Sequence, residues 1–491
     1  MNITVNLEIC NREFEFFGEF VSGVYREMMQ VGCEIVRQAL EGLDAELMKE
    51  RDRKRFRSKG SRKTCIKTIM GEVEYQRQVY VDQAAAEGMR CVYLLDEVLG
   101  IEKVGLISSE VCQLAATGIC ESTYRATAKM ISETTGLSIS HQGVHDLVQK
   151  MGGKQSAIIE KHTDLAMVKQ GVGRIESKLL YEENDGIWLN LQGKSRKQYG
   201  ATKEMKVGIA YDGVLYEPER TGRKPSRRLL SNKVAYASFE DARAFRKRKE
   251  GLVASRFNVD EIELRVLNGD GGNWIPKKNG TKSIGVLDKF HRNKKITECV
   301  KDKALAGMLR ELLFAGNIDG LLDCLEAQIN SLLDGEEVDK LRELQRYYTE
   351  HREILKGYYD RGVQIPETTE PGVVHHARLG SMESNVFTLI GNRMKGRRAC
   401  WSVEGANNLA LLLCAYHTSG MEALFVPLSA IPSPRKEPEY VDTTPVFGAG
   451  QIPAREGRGY EFWATTTLSS ATSGWLKSFA RRLRRDSGNN F

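Results

Sequence analysis

Carboxylates in three separate stretches of the chain have the residue types and the surroundings needed to bind a divalent cation. The first stretch, residues 180–191, has a strand-like apolar pattern that is interrupted by Glu182, Glu183 and Asp185. Acids crowded in a strand repel one another, and aspartate is a poor strand former. A chain tolerates that cost most readily where a carboxylate faces an open site and holds a cation. The alternative is an edge strand with solvated acids, and this stretch by itself favours the alternative.

The other two stretches place Asp270 and Glu383 at the ends of predicted elements. Asp270 follows a strand predicted over residues 261–267, where ligands bind in open α/β sheets. Glu383 lies in the first turn of a predicted helix, where a negative charge suits the helix dipole. Both residues have structural alternatives. Asp270 is then only a turn residue, and Glu383 is only a helix N-terminal charge, with Glu404 or Glu182 as the metal ligand.

The elements that must position these acids describe a mixed α/β sheet. Three strands of antiparallel character are predicted, then a helix that starts at Ser238, then two more strands. The strands cover residues 180–191, 205–214, 229–237, 261–267 and 283–287. An all-helical segment over residues 297–362 is longer than an ordinary connection. We therefore expect the α/β fold class, with a helical subdomain inserted between the last strand and Glu383.

The N-terminal part of the chain combines a basic cluster with a helix and a small sheet. Residues 15–50 have helical periodicity, and residues 64–82 are predicted to form a β-hairpin that turns at Gly71. Residues 51–63 hold eight basic residues, with Asp52 as the one acid. A basic arm that leads into a small sheet suits contact with a DNA backbone. A solvated loop on a structural sheet explains the same residues.

Residues 121–152 are predicted to form two helices joined by a short glycine turn, as in a helix-turn-helix. Ser140 is the expected N-cap of the second helix, which buries Val144, Leu147 and Val148. The residues expected to contact DNA are His141, Gln142 and His145 at base edges, Arg125 and Lys129 at phosphates, and Arg393 and Lys395 on the later helix. Helical hairpins are common, so a purely structural pair of helices is the alternative.

Composition limits the class of protein. A chain of 491 residues is too long for one ordinary core, so about two to four domains are expected. The net charge of +7 is compatible with a polyanionic partner. The ten cysteines form no CxxC pair, which argues against a zinc knuckle, and a disulfide framework is not expected in so long a chain. Without a signal-peptide pattern or an apolar run of about 18 residues, the chain is expected in the cytosol and not in a membrane.

The order of these features resembles a known family. Acids on the first strand, after the fourth strand and on a later helix, with a helical insert before the last acid, resemble the DDE layout of RNase H-like, Mutator-related transposases. Asp288 and His291 resemble the (C or D)xxH signature of that branch. Six segments are similar to the ISLre-type (ISLre-two) insertion-sequence transposases, and the resemblance spans roughly residues 60–415. They are YRATA (124–128), SISHQGV (138–144), ENDGIWLNLQ (183–192), GDGGNWI (269–275), KFHRNK (289–294) and ESNVFTLIGNRMKGR…WS (383–402).

The resemblance implies an RNase H-like catalytic core and a metal-dependent reaction on DNA. Two Mg²⁺ ions, or Mn²⁺ in their place, would lie about 4 Å apart, with Asp185 bridging both and Asp270 and Glu383 each completing one. The nucleophile would be water and then the freed 3′-OH. His291 would position a phosphate or a water, unless it is a structural histidine. The implied partners are double-stranded DNA, as terminal inverted repeats and as target, and further copies of the chain in a homodimer or larger oligomer in the bacterial cytosol.

Two other functions stay open at this point. A decayed or domesticated copy would bind DNA through the helix-turn-helix without catalysis, and an RNase H-like nuclease would cut without joining. The expected domains are an N-terminal region over residues 1–103, a helix-turn-helix-like domain over 104–170, an RNase H-like domain over 171–425 with a helical insertion over 293–371, and a basic, flexible tail over 426–491.

Overall fold

The computed structural model describes residues 16–85, 90–99, 107–169, 173–216, 228–272, 274–275, 282–366, 373–374, 379–396, 398–420 and 431. Within these ranges the fold is mixed α/β, as expected, with one large mixed sheet, two small sheets and helices packed against them. The same ranges contain no helix that is long and apolar enough to span a bilayer. Apart from Ile431, the tail expected over residues 426–491 lies outside the described residues.

A long helix packed on a three-stranded antiparallel sheet begins the described chain. Its elements are α1 (Phe17–Glu50), β1 (Phe56–Thr68), β2 (Gly71–Asp82), β3 (Arg90–Val92) and α2 (Leu94–Leu99), and the strand order is β1-β2-β3. The apolar face of the hairpin, with Ile66, Val73 and Tyr75, packs against α1 residues from Cys33 to Leu47. The predicted helix and the predicted hairpin are both confirmed.

The basic cluster over residues 51–63 lies largely in β1 and is not a free arm, because the hairpin begins eight residues earlier than expected. Residues of β1 and β2 that face solvent pair across the ladder, and Lys63 contacts Glu74 at 2.5 Å. Lys67 contacts Glu72 at 3.2 Å in the same way. Part of the positive charge is therefore neutralised within the hairpin itself.

Three helices follow, α3 (Ser109–Glu121), α4 (Tyr124–Thr134) and α5 (His141–Met167). Ser140 caps α5 as predicted, since its hydroxyl accepts a hydrogen bond from the Gly143 N–H at 3.0 Å. Three residues predicted to face the core are buried: Val144, Leu147 and Val148. The turn between α4 and α5 docks on the hairpin, because the Gly136 N–H donates to the Ile69 carbonyl at 3.0 Å.

The strands of the large sheet come partly before and partly after the helix Ala242–Arg256 along the chain. Its region contains β4 (Leu179–Leu191), α6 (Gly193–Tyr199), β5 (Thr202–Tyr211), β6 (Gly213–Tyr216), β7 (Arg228–Ser231), β8 (Val234–Ser238), α7 (Ala242–Arg256), a 3₁₀ turn (Val259–Glu261), β9 (Leu264–Gly269) and β10 (Ser283–Leu287). The strand order is β10-β9-β4-β5-β8. β9 and β10 run parallel to β4, whereas β5 is antiparallel to both of its neighbours. β4 is therefore a central strand and not the edge strand that its acids favoured.

Two predicted boundaries in this region are wrong. The third predicted strand, residues 229–237, is two strands in different sheets, because a turn with Asn232 at φ +50° separates β7 from β8. The next helix does not start at Ser238, which ends β8. It starts at Ala242, because the Asp241 carboxylate accepts hydrogen bonds from two free N–H groups of the first turn.

The helical insertion is confirmed and has a hydrophobic core of its own. It comprises α8 (Lys289–Cys299), α9 (Lys303–Phe314), α10 (Ile318–Ser331), α11 (Glu336–Glu350), α12 (Arg352–Leu355) and a 3₁₀ turn (Tyr358–Arg361). It begins directly after β10, four residues before the expected residue 293, because Asp288 caps α8.

The last described elements return to the large sheet. They are β11 (Val373–Val374), α13 (Met382–Val386), a π-helical turn (Phe387–Gly391), α14 (Asn392–Met394), β12 (Cys400–Trp401) and α15 (Val403–Tyr416). β12 pairs with the end of β4, and β11 joins β6 and β7 in a small antiparallel sheet. α5 packs against both α7 and α15. The crossings are close, since a Cβ on Gly152 would lie 2.6 Å from the Asn408 Cα. The helices predicted to read DNA thus share a core with the large sheet.

Candidate functional site

Three aspartates occupy equivalent positions on or directly after three neighbouring parallel strands of the large sheet. Asn184 of β4 pairs with Gly269 of β9, and Gly269 pairs with Leu287 of β10. The next residues in each strand direction are Asp185, Asp270 and Asp288. Because hydrogen-bonded strands lie about 4.8 Å apart, the sheet register brings acids that are 85 and 18 residues apart in sequence into one row.

A small cavity of about 20 Å³ opens at this row of acids. The residues that line it are Asn184, Asp185, Asn268, Gly269, Asp270, Asp288, Phe290, His291, Gly380, Met382 and Glu383. All four residues predicted to act in catalysis, Asp185, Asp270, Glu383 and His291, therefore lie around one cavity. Glu383 reaches it from α13, which packs against β4. The π-helical turn that follows α13 is a feature often found at functional sites.

The acids keep oxygen atoms available for a cation. Backbone N–H groups donate at 2.7 Å to one oxygen of Asp185, from Gly186, and to one oxygen of Asp270, from Gly272. Within the described ranges no group donates a hydrogen bond to the Glu383 carboxylate. Carboxylate oxygens are the ligands that Mg²⁺ prefers, so the chemistry of this set fits a hard divalent ion.

The side chains surround the cavity without meeting at one point. Among the described residues, no three carboxylate, imidazole or thiol groups form a ready-made metal cluster. A volume of about 20 Å³ is enough for one ion or one water. Because the carboxylates do not already converge, joint coordination of an ion by them requires rotation of their side chains.

His291 faces Asp185 across the cavity. Its Nε2 atom lies 3.7 Å from the Asp185 carboxylate, and its backbone N–H donates to the Asp288 carboxylate at 3.3 Å. The interaction with Asp185 raises the pKa of His291, with Asp270 and Asp288 acting in the same direction and burial acting against them. The neighbouring acids therefore favour the protonated form of the imidazole.

Glu183 has a structural role, because its hydrogen bonds hold together the elements that surround the cavity. Its carboxylate is fully buried and accepts hydrogen bonds from the Tyr211 hydroxyl at 2.6 Å, the Asn268 amide at 2.8 Å and the Gly380 N–H at 3.1 Å. Burial raises the pKa of Glu183, and these hydrogen bonds oppose that effect. Because Asn268 also donates to Asp288 at 3.0 Å, one network ties β4, β9, the start of α8 and the loop before Glu383 together.

Neither alternative ligand lines the cavity. Glu182, on the opposite face of β4 from its neighbour Glu183, contacts Lys249 at 2.6 Å and Arg265 at 2.9 Å. Glu404 lies in the first turn of α15. The described residues that line the cavity include neither of them.

Sequence reasoning missed two residues of this region. Asn268 was passed over because its role depends on contacts with Glu183 and Asp288 that no local pattern reveals. Glu204 of β5 was missed because the predicted strand begins only at residue 205, whereas β5 begins at Thr202. Burial raises the pKa of Glu204, Asp270 and Asp185 add to that effect, and Lys206 opposes it.

The residues predicted to contact DNA differ in their exposure to solvent. His141 and Gln142 are exposed in the first turn of α5, and Arg125 and Lys129 are exposed on α4. The amide of Gln142 donates to Asp146 at 2.8 Å, which fixes its orientation.

His145 and Arg393 line a second cavity, and Lys395 follows two residues after Arg393. His145 is half-buried with its ring 5.3 Å from that of Tyr124. Arg393 donates to the Ile119 carbonyl at 2.7 Å and so ties α14 to α3. Lys395 is exposed.

Most of the sequence matches one known protein family. The sequence model of a family described as "Uncharacterised protein family (UPF0236)" matches residues 11–424. The chain belongs to the UPF0236 family. One relative, the "UPF0236 protein in vanSb 3'region" of Streptococcus gallolyticus, is 24% identical over 445 residues, which is 87% of this chain and 88% of that protein. The span matched by the UPF0236 model includes the hairpin, the α3–α5 helices, the large sheet and Glu383.

Proposed function

We propose that this UPF0236 protein is a DDE-type DNA transposase, which cleaves the ends of an insertion sequence and joins them to target DNA by 3′-OH attack. The observation that carries the proposal is the position of Asp185, Asp270 and Glu383. Three elements far apart in sequence bring these three carboxylates around one cavity, with His291 beside them. Acids on separate elements can hold hard cations and still leave room for phosphate oxygens.

The layout of the large sheet supports an RNase H-like core. Three antiparallel strands, β4, β5 and β8, are followed by α7, and then β9 and β10 are added in parallel on the other side of β4. The helical insertion lies between β10 and Glu383, as in the transposases that the sequence resembles. These features are the ones expected from that resemblance.

Two Mg²⁺ ions, with Mn²⁺ as a substitute, would activate the attacking oxygen and stabilise the leaving one. On this proposal Asp185, Asp270 and Glu383 hold the ions. His291, whose Nε2 atom lies 3.7 Å from the Asp185 carboxylate, would donate a hydrogen bond to the phosphate group that undergoes reaction. Asn268 and Glu183 keep the acids in place through the hydrogen-bond network that joins their strands.

DNA binding is assigned on the same proposal to α4 and the first turn of α5, in the manner of a helix-turn-helix. Support comes from the exposed positions of His141, Gln142, Arg125 and Lys129. A dimer or larger oligomer would hold the two inverted repeats together.

Strand joining in vitro tests the proposal. The protein is incubated with Mg²⁺, a labelled end of the DNA element that encodes it and a target plasmid. Wild type should yield joined product, and Asp185→Ala should yield none. In a gel shift Asp270→Ala should still bind the end although joining disappears. Glu404→Gln is the matched control, because this acid does not line the cavity, and it should join as wild type does.

The same assay separates the alternatives. Cut ends without joined product would support a nuclease and overturn the transposase. Binding without any cutting would support a DNA-binding protein that lacks catalysis. Joining that is unchanged in Asp185→Ala would show that the proposed site is wrong.

A further inference from the structure

A second cavity lies between the α4–α5 helices and the helix that carries Glu383. Its volume of about 470 Å³ is within the range of about 300–1,000 Å³ that is usual for small-molecule sites in proteins. Its walls come from the start of α4, from α5, from the residue after β4, from α14 and from the start of α15. The residues that line it are distinct from those around the acids.

Flat rings form part of the wall of this cavity. The Tyr124 and His145 rings meet edge to face with their centroids 5.3 Å apart. The Trp401 ring is fixed by a hydrogen bond from its Nε1 atom to the Met394 carbonyl at 2.8 Å. The Arg393 guanidinium lies 5.4 Å from the centre of the same indole ring. Trp401 is buried, with 8% of its surface exposed, so the partly exposed Tyr124 and His145 rings are the surfaces on which a planar group can stack.

Polar groups complete the lining. Gln192 and Asn392 bring amide groups, each of which can donate and accept hydrogen bonds, and both are exposed. The His145 imidazole adds a further donor or acceptor. Stacking rings beside mixed donors and acceptors match a nucleobase, which has two π faces and an edge with both kinds of group.

We propose that this cavity binds one nucleobase that is extruded from the DNA duplex. The proposal rests on the proposed function, because it requires DNA at the acids. Asn392 comes nine positions after Glu383 in one helical run, so these two lining residues, one from each cavity, lie roughly 14 Å apart along the helix. This is about four base steps of B-form DNA, at about 3.4 Å each. The extruded base thus lies within a few nucleotides of the phosphate that is cleaved.

A scan of mismatched DNA duplexes locates the extruded base. Each duplex spans one end of the element and carries a single mismatch at one position. Wild type should bind one of them roughly tenfold more tightly than the paired duplex, because a mismatched base is already partly released from its partner. Equal binding of all mismatched and paired duplexes would overturn the nucleobase site.

Variants of Tyr124 then test the stacking wall. Tyr124→Ala should weaken binding of the mismatched duplex by roughly five- to a hundredfold, and Tyr124→Phe, which keeps the ring, should restore it. A duplex with an abasic site at the same position has no base to stack, so its binding should be equal in wild type and Tyr124→Ala. Lys340→Ala, on the helical insertion, is the control and should bind every duplex as wild type does.

Two results separate this inference from the proposed function. If wild type joins DNA but Tyr124→Ala weakens abasic and mismatched duplexes equally, the nucleobase site is wrong and the transposase proposal stands. If wild type binds none of these duplexes, both are wrong.

Discussion

Replacement of Glu182 by glutamine should destabilise the fold strongly, although the two side chains are almost the same size. Glu182 is 1% exposed, and its two oxygens contact the Lys249 ammonium at 2.6 Å and the Arg265 guanidinium at 2.9 Å. Lys249 is itself only 4% exposed. Arg265 has a second acid, Glu250, at 2.6 Å. The substitution therefore leaves Lys249 as a buried cation without a described carboxylate partner.

The expected loss follows from that burial. Removal of one partner of a buried ion pair costs about 3–5 kcal/mol, because the remaining charge stays in a medium of low polarity. We expect Glu182→Gln to lower the free energy of unfolding by this amount. Asp185→Asn, three residues along the same strand, should change it by about 1 kcal/mol or less, because Asp185 lines the open cavity. Lys249→Met should cost less than Glu182→Gln, since it leaves Glu182 paired with Arg265.

Urea unfolding followed by circular dichroism measures these differences. The three variants and wild type are compared at the same pH and protein concentration, with the unfolding midpoint and slope recorded for each. An unfolding free energy for Glu182→Gln within 1 kcal/mol of wild type would refute the reasoning. A larger loss in Asp185→Asn than in Glu182→Gln would refute it as well.

Three further predictions concern the stability of the fold and the hydrogen-bond network around the acids. Burial acts to raise the pKa of Glu182, but Lys249 and Arg265 lower it to about 2, so its contribution is fully present above about pH 4.5 and is lost as the pH falls toward 2. Unfolding measured between about pH 5 and about pH 3 should therefore show a steeper loss in wild type than in Glu182→Gln. Gly136→Ala places a Cβ 1.9 Å from the Met70 carbonyl oxygen, so it should destabilise the protein by about 1–3 kcal/mol and speed proteolysis of the hairpin. Asn268→Leu removes the hydrogen-bond donor to Glu183 and Asp288, so it should lower the free energy of unfolding by about 1–3 kcal/mol. It should also reduce DNA joining by more than this loss of folded protein explains. Thermal melting and the joining assay measure the two effects.

The sequence allowed the large sheet and its acids to be predicted because both leave local patterns. Apolar runs mark β4 and β10, alternation marks β9, and the two-residue period of a strand puts Glu183 and Asp185 on the same face of β4. It could not tell which acid is open to a ligand. Glu183 is buried by partners 28, 85 and 197 residues away, and only the strand register brings them to it.

Boundaries were harder to predict where local signals compete. Ser238 and Asp241 are both good N-caps, and the choice between them is made by β8, which keeps Ser238 in the ladder with Lys206. The basic cluster looked like an arm because charge is usual in loops. The pairing of Lys63 with Glu74 across β1 and β2 lets the same residues form an edge strand.

Arg393 shows the limit of charge as a signal. The sequence groups it with other basic residues as a contact for DNA. In the structure its guanidinium donates to the Ile119 carbonyl and lies near Trp401, so it holds two helices together. A contact between residues 274 positions apart leaves no trace in a single sequence.

Metal rescue at Asp185 is the measurement that tests the central claim most directly. Asp185→Cys replaces a hard oxygen ligand by a softer thiolate, which disfavours Mg²⁺ more than Mn²⁺. The account predicts that Asp185→Cys binds the element end, fails to join it in Mg²⁺ and recovers joining in Mn²⁺, whereas Asp185→Ala recovers in neither ion. Joining by Asp185→Cys at the wild-type rate in Mg²⁺, or by Asp185→Ala in either ion, would contradict the claim that Asp185 holds the catalytic metal.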